Sequence, residues 1–149
     1  MANVVPFSFK GELLSGTHNF ANGGDTFKIA LYNGTISATY TTSTTVVQTN
    51  DEVSSAGSSN YSRKTLASQA VAATTATASV DFADVTWGAA TTGAASFTAN
   101  YAAIYNDDKG DKLVVVLDFG GAKTATNGDF TISFPDPSTA SNAIISLTS

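Results

Sequence analysis

Two runs and their connection organise this chain: Phe97-Thr98-Ala99-Asn100-Tyr101-Ala102-Ala103-Ile104-Tyr105, then Asn106-Asp107-Asp108-Lys109-Gly110-Asp111, then Lys112-Leu113-Val114-Val115-Val116-Leu117-Asp118-Phe119. The first run alternates with period two. Phe97, Ala99, Tyr101, Ala103 and Tyr105 fall on one face of a strand, Ala102 and Ile104 on the other. Asn, Asp and Gly tolerate the backbone angles of tight turns, so the connection reads as a hairpin. The second run is apolar on both faces, which predicts a central strand covered on each side.

Working outward, Phe27, Ile29 and Leu31 alternate with Lys28 and Ala30, the pattern of a half-buried strand between the turn signals Asn22-Gly23-Gly24-Asp25 and Asn33-Gly34. Upstream, Ser8 to Gly16 reads as a short helix. Ser8 stands where a cap is wanted, Phe9 and Leu13 share a face, and Gly16 suits the exit. Residues 33–60 are small and polar around Val46-Val47; they read either as a long surface loop or as threonine-rich edge strands. Further strands are expected at Arg63 to Leu66, Thr77 to Phe82, Val85 to Trp87, and Ile144 to Thr148. Gly120-Gly121 and Asn127-Gly128 bracket a loop, after which Phe130, Ile132 and Phe134 alternate until Pro135 and Pro137 stop the ladder. Short strands with frequent turn signals predict an all-β fold: a single antiparallel β-sandwich or jelly-roll-like domain. Residues 1–20 form an N-terminal arm or short helix, and residues 21–149 form the sandwich.

Composition fits that reading. Of 149 residues, 23 are Ala, 17 Ser and 22 Thr, and only 13% are charged, about half the usual share. Small and β-branched side chains suit sheet surfaces better than helix faces. No cysteine is present, which excludes disulfides, thiolate nucleophiles and cysteine–metal sites. Apolar runs are far shorter than the ~20 residues of a membrane helix, and Met1 to Pro6 lacks the basic-then-apolar pattern of a signal peptide. The net charge of −5 comes entirely from the second half, where eight aspartates face Lys109, Lys112 and Lys123. Nucleic acid needs a basic footprint, so no nucleic-acid partner and no membrane partner are expected.

The sequence offers little for catalysis. His18 is the one imidazole, no motif frames it, and it reads as a bystander in a polar loop. Nucleophile elbows, phosphate loops and Ser-x-x-Lys are absent, and most carboxylates sit in turn-like segments. The chain is expected not to be an enzyme and to need no cofactor or metal. Asp107, Asp108 and Asp111 lack the alternating spacing and terminal glutamate of a calcium loop, and turn chemistry explains them. Trp87 is read as a core plug, a subunit contact or a sugar-stacking platform.

The segment Ser8-Phe9-Lys10-Gly11-Glu12-Leu13-Leu14-Ser15-Gly16-Thr17-His18-Asn19-Phe20, followed by Gly24 to Tyr32, resembles a family of small tailed-bacteriophage virion structural proteins. Asp51-Glu52-Val53-Ser54, Tyr61 with Leu66, Val85-Thr86-Trp87, Ile104 to Asp107 and Leu117 to Gly120 follow in the family's order. After the tyrosine, where the family tends to have a glycine-rich turn, this chain has Ser62-Arg63-Lys64. The resemblance implies a virion protein made in the bacterial host cytoplasm. It is expected to be a head decoration (cement) protein on the outer capsid surface, with the major capsid protein as partner and a homo-oligomer, a trimer favoured. Phe7, Phe9, Leu13, Leu14 and Trp87 are the candidate capsid or subunit contacts; the apolar residues of the arm serve equally as a cap on the sandwich. The alternative is a head-fibre, tail-fibre or spike component contacting host glycans or a receptor through residues 33–60 and Trp87.

Overall fold

Alternating apolar side chains generate strands throughout, and one short helix precedes them. The computed structural model describes residues 3–34, 46–88, 90, 93–135 and 143–148. Helix α1 (Phe7–Leu14) leads into strands β1 (Phe27–Tyr32), β2 (Lys64–Thr65), β3 (Ala70–Ala73), β4 (Thr77–Asp81), β5 (Val85–Trp87), β6 (Ala95–Asn106), β7 (Lys112–Gly128), β8 (Phe130–Ile132) and β9 (Ile145–Thr148). All pairings between these strands are antiparallel. They form a four-stranded sheet in the order β2-β1-β6-β7, a three-stranded sheet β3-β4-β9 and a two-stranded sheet β5-β8. The expectation of a mostly β chain with one short helix and antiparallel sheets is met.

One large core joins all three sheets. Phe27, Ile29 and Leu31 of β1 meet Trp87 of β5, Phe130 of β8 and Ile145 of β9 in a single cluster. A smaller cluster lies on the opposite face of the four-stranded sheet, where Ala30, Tyr32, Ala103, Tyr105, Leu113 and Val116 pack with Val47. Strand β1 is therefore buried on both faces rather than half-buried: Ala30 and Tyr32 face this second cluster. The second layer also explains Val46-Val47, which contribute a single bridge from Val46 to Lys112 and a buried Val47 rather than a strand.

The central hairpin departs from strict alternation at three places. Pairing of β6 with β7 shifts register between Ala95 and Phe97, between Ala99 and Tyr101, and between Ile104 and Tyr105. Across the middle shift Phe97 and Ala99 face the main core, but so do Ala102 and Ile104, while Tyr101, Ala103 and Tyr105 face the second cluster. The single face expected for residues 97 to 105 is thus split by a bulge, which reverses side-chain parity. On β7 the same shift takes up Gly120 and Gly121, at φ 70° and 140°. Those glycines do not open a loop. They permit a bulge inside a 17-residue strand. Nor is β7 central: it is the outermost strand of its sheet, flanked by an isolated bridge to Val4 with 2.9 Å bonds in both directions.

Candidate interaction surface

Pro6 is the N-cap residue of helix α1 and makes no side-chain cap bond, so Ser8 lies inside the first turn instead of capping it. It ends where Gly16 takes φ 71°; the Gly16 N–H donates to Leu13 O and the Thr17 N–H to Glu12 O, closing a Schellman motif. Phe9 is fully buried and Leu13 packs against the main core, so these two dock the helix. Phe7 and Leu14 point outward, 61% and 91% exposed. Trp87 is wholly buried, its Nε1–H donating to Ser62 O at 2.6 Å. The five candidate contacts thus divide: Phe9, Leu13 and Trp87 pack inside the chain, and Phe7 and Leu14 remain on the surface.

A polar chain fastens the helix to the central hairpin. The Asn106 amide nitrogen donates to His18 Nδ1 at 3.0 Å and to Asp25 Oδ2 at 2.8 Å. That leaves the Nε2–H of His18 to donate to Glu12 Oε2, 3.0 Å away, and Glu12 also pairs with Lys112. The Asn19 N–H donates to Asp25 Oδ2, and Lys109 approaches Oδ1 at 3.3 Å. Burial pushes the Asp25 carboxyl up, but the bonds from Asn19, Asn106 and Lys109 outweigh it and hold the group below the ordinary carboxylate range. His18 is therefore a buried tie rather than a bystander, its ring packed between Phe9 and Phe20. The signal was faint: an aromatic on each flank, Phe9 and Phe20, but no motif.

The aspartates of the hairpin serve local structure. Thr26 N–H donates to Asp108 Oδ2, and Lys28 pairs with Asp107 at 2.8 Å, closing the hairpin end against β1. Among the described residues no group of three or more His, Cys, Asp or Glu is placed to hold a metal ion. A second polar knot forms at Ser62-Arg63-Lys64. Arg63 grips Glu52 through Nε at 2.9 Å and Nη2 at 2.8 Å, and its guanidinium lies over the Tyr105 ring. Tyr61 donates to the same carboxylate and accepts from the Leu31 N–H.

A groove of about 980 Å³ lies between the α1 end of the molecule and the β3-β4-β9 sheet. Phe9, Leu13, Phe20, Val71, Val80 and Leu147 supply its apolar walls, and His18, Asn19 and Gln69 its polar ones; among the described residues no Asp, Glu, Lys or Arg lines it. In a chain of net charge −5 this is a neutral, apolar face. It suits contact with protein surface of like character. Among the described residues no helix is long and apolar enough to cross a membrane. No family model matches the chain, and neither a curated protein nor a solved structure matches it.

Proposed function

We propose that the chain is a non-enzymatic virion structural protein of a tailed bacteriophage, a head decoration (cement) protein built as one antiparallel β-sandwich. It binds the major capsid protein on the outer capsid surface and stabilises the shell. The observation that carries this reading is the uncharged groove beside α1, in the same N-terminal segment, Ser8 to Phe20, that resembles such virion proteins. A decoration protein works by adding apolar contact across joints in a shell, and Phe7 and Leu14 expose apolar surface on the outer side of α1. The fibre or spike alternative would use residues 33–60 and Trp87; Trp87 is enclosed, and residues 35–45 lie outside the described residues.

Quantitative mass spectrometry of purified virions tests the proposal through copy number relative to the major capsid protein. A ratio approaching one per capsid subunit is expected. A handful of copies per particle would move the protein to a fibre or spike, and absence from virions would overturn the reading altogether.

A further inference from the structure

The three-stranded sheet β3-β4-β9 ends on both sides in strands with no partner among the described residues. Unpaired ladder groups invite another strand, and proteins commonly blunt such edges with charge, bulges or cover. This molecule does so elsewhere. At one edge of the four-stranded sheet, β2 is two residues long and carries Lys64. At the other, β7 carries Lys123 and the Gly120-Gly121 bulge and takes bridges from Val4 and Val46. None of these devices protects β3 or β9. Ala70-Val71-Ala72-Ala73 and Ile145-Ser146-Leu147-Thr148 hold no charge and no proline, and their registers to β4 run unbroken.

The edges also match in chemistry. Val71, Val80 and Ile145 lie opposite one another across the sheet, as do Ala73, Ala78 and Leu147, so both edges continue one apolar face. Val71 and Leu147 are 55% and 56% exposed. The sheet's one charged residue, Asp81, is buried, so two copies of an acidic chain meet here without repulsion. A four-residue edge with its side chains covers on the order of 400 Å², half of the ~800 Å² per partner in a standard interface. One edge falls short of that area. Each contact is therefore small, and the association it supports is weak.

We propose that second copies of this chain complete the β3-β4-β9 sheet, the β9 edge of one copy pairing with the β3 edge of the next. Such head-to-tail contact closes into a ring when the rotation between copies allows. The inference stands independently of the virion reading, and its test needs no virion.

The test is complementation of edges in the full-length chain, followed by sedimentation velocity up to ~100 μM, a range that detects micromolar association. Wild type is expected to sediment as an oligomer. Leu147→Lys and Val71→Lys, both at exposed positions, should each sediment as monomers, with circular dichroism and melting temperature unchanged to show that the fold survives. Mixed in equal amounts, they should form a one-to-one dimer, because each supplies the edge the other lacks. A wild type that stays monomeric overturns the proposal. So does dissociation by Leu147→Lys but not by Val71→Lys, which would mean β9 pairing with β9, or failure of the two variants to pair.

Discussion

Tyr61→Phe removes one oxygen from the main core and disturbs two groups at once. The Tyr61 hydroxyl accepts the Leu31 N–H at 2.9 Å and donates to Glu52 Oε1 at 2.8 Å. Strand β2 covers only Lys28 and Ile29 of β1, so at Leu31 the hydroxyl takes the place of a neighbouring strand. Phenylalanine keeps the ring contacts with Trp87 and Phe97 but strands a buried backbone donor. An unsatisfied buried N–H and a lost bond to a carboxylate together cost about 2–4 kcal/mol, counted as one coupled change rather than a sum. For a domain of this size that lowers the melting temperature by about 5–15 °C.

The same substitution has a pH signature. Burial pushes the Tyr61 phenol far above its ordinary range, and the Glu52 carboxylate adds to it against the opposing effects of the Leu31 N–H and Arg63. A group raised on folding contributes stability in full below its unfolded pKa of about 10, and that contribution drains away as pH climbs beyond it. Urea unfolding of wild type and Tyr61→Phe from pH 7 to pH 11 should therefore show a gap that is constant to about pH 10 and then narrows. Tyr105, also raised by burial, acts in both proteins and cancels from the difference. Equal stabilities at pH 7, or a gap that ignores pH, would refute the account.

Other expectations follow from the same contacts. Asp25 is held below the ordinary carboxylate range, so its contribution is present above about pH 4 and lost as pH falls; Asp25→Asn should flatten that acid limb in thermal unfolding. Phe9→Ser should destabilise by about 3–5 kcal/mol in denaturant titration, whereas Phe7→Ser with Leu14→Ser should stay within ~1 kcal/mol of wild type. On the decoration reading that exposed pair nevertheless loses capsid binding in a sedimentation assay with undecorated heads. Gly24→Ala places a Cβ 2.5 Å from the Asn19 carbonyl oxygen, and backbone cannot yield as a side chain does. It should cost about 1–3 kcal/mol and weaken amide protection at Asn19 and Asp25 in hydrogen exchange.

Local patterning locates β1, β2, β4, β5, β6, β8, β9 and the first half of β7, and it misses β3, where Ala70-Val71-Ala72-Ala73 has too little contrast to show a period. It could not assign faces across the central hairpin. Residues 97 to 105 alternate without interruption in sequence, yet their pairing with β7 takes a register shift after Ala99, and parity reverses there. A bulge is a property of two strands together, so neither strand alone announces it. Gly120 and Gly121 carry the hint, but Gly-Gly serves a loop and a bulge equally well. The polar ties were hidden for a related reason. Asn106 lies 88 positions from His18 and 81 from Asp25, so only folding joins them.

The placement of apolar residues at α1 follows the same logic in reverse. The sequence groups Phe7, Phe9, Leu13 and Leu14 as one arm that serves equally as a contact or as a cap on the sandwich, but helical spacing puts Phe9 with Leu13 and Phe7 with Leu14 on different sides. Residues 9 and 13 are four apart and turn inward; residues 7 and 14 are two turns apart and turn outward. An arm detached from the core would expose all four. This helix is fixed at Phe9, at the Glu12–His18–Asn106 chain and at the Lys112 pair, so the surface it offers is narrow and rigid. A partner that meets it finds a preformed contact and gives up little ordering entropy on binding. On the decoration reading, the Phe7 and Leu14 contact depends on this docking, and a helix peptide cut from the chain should bind undecorated heads far more weakly than the folded protein.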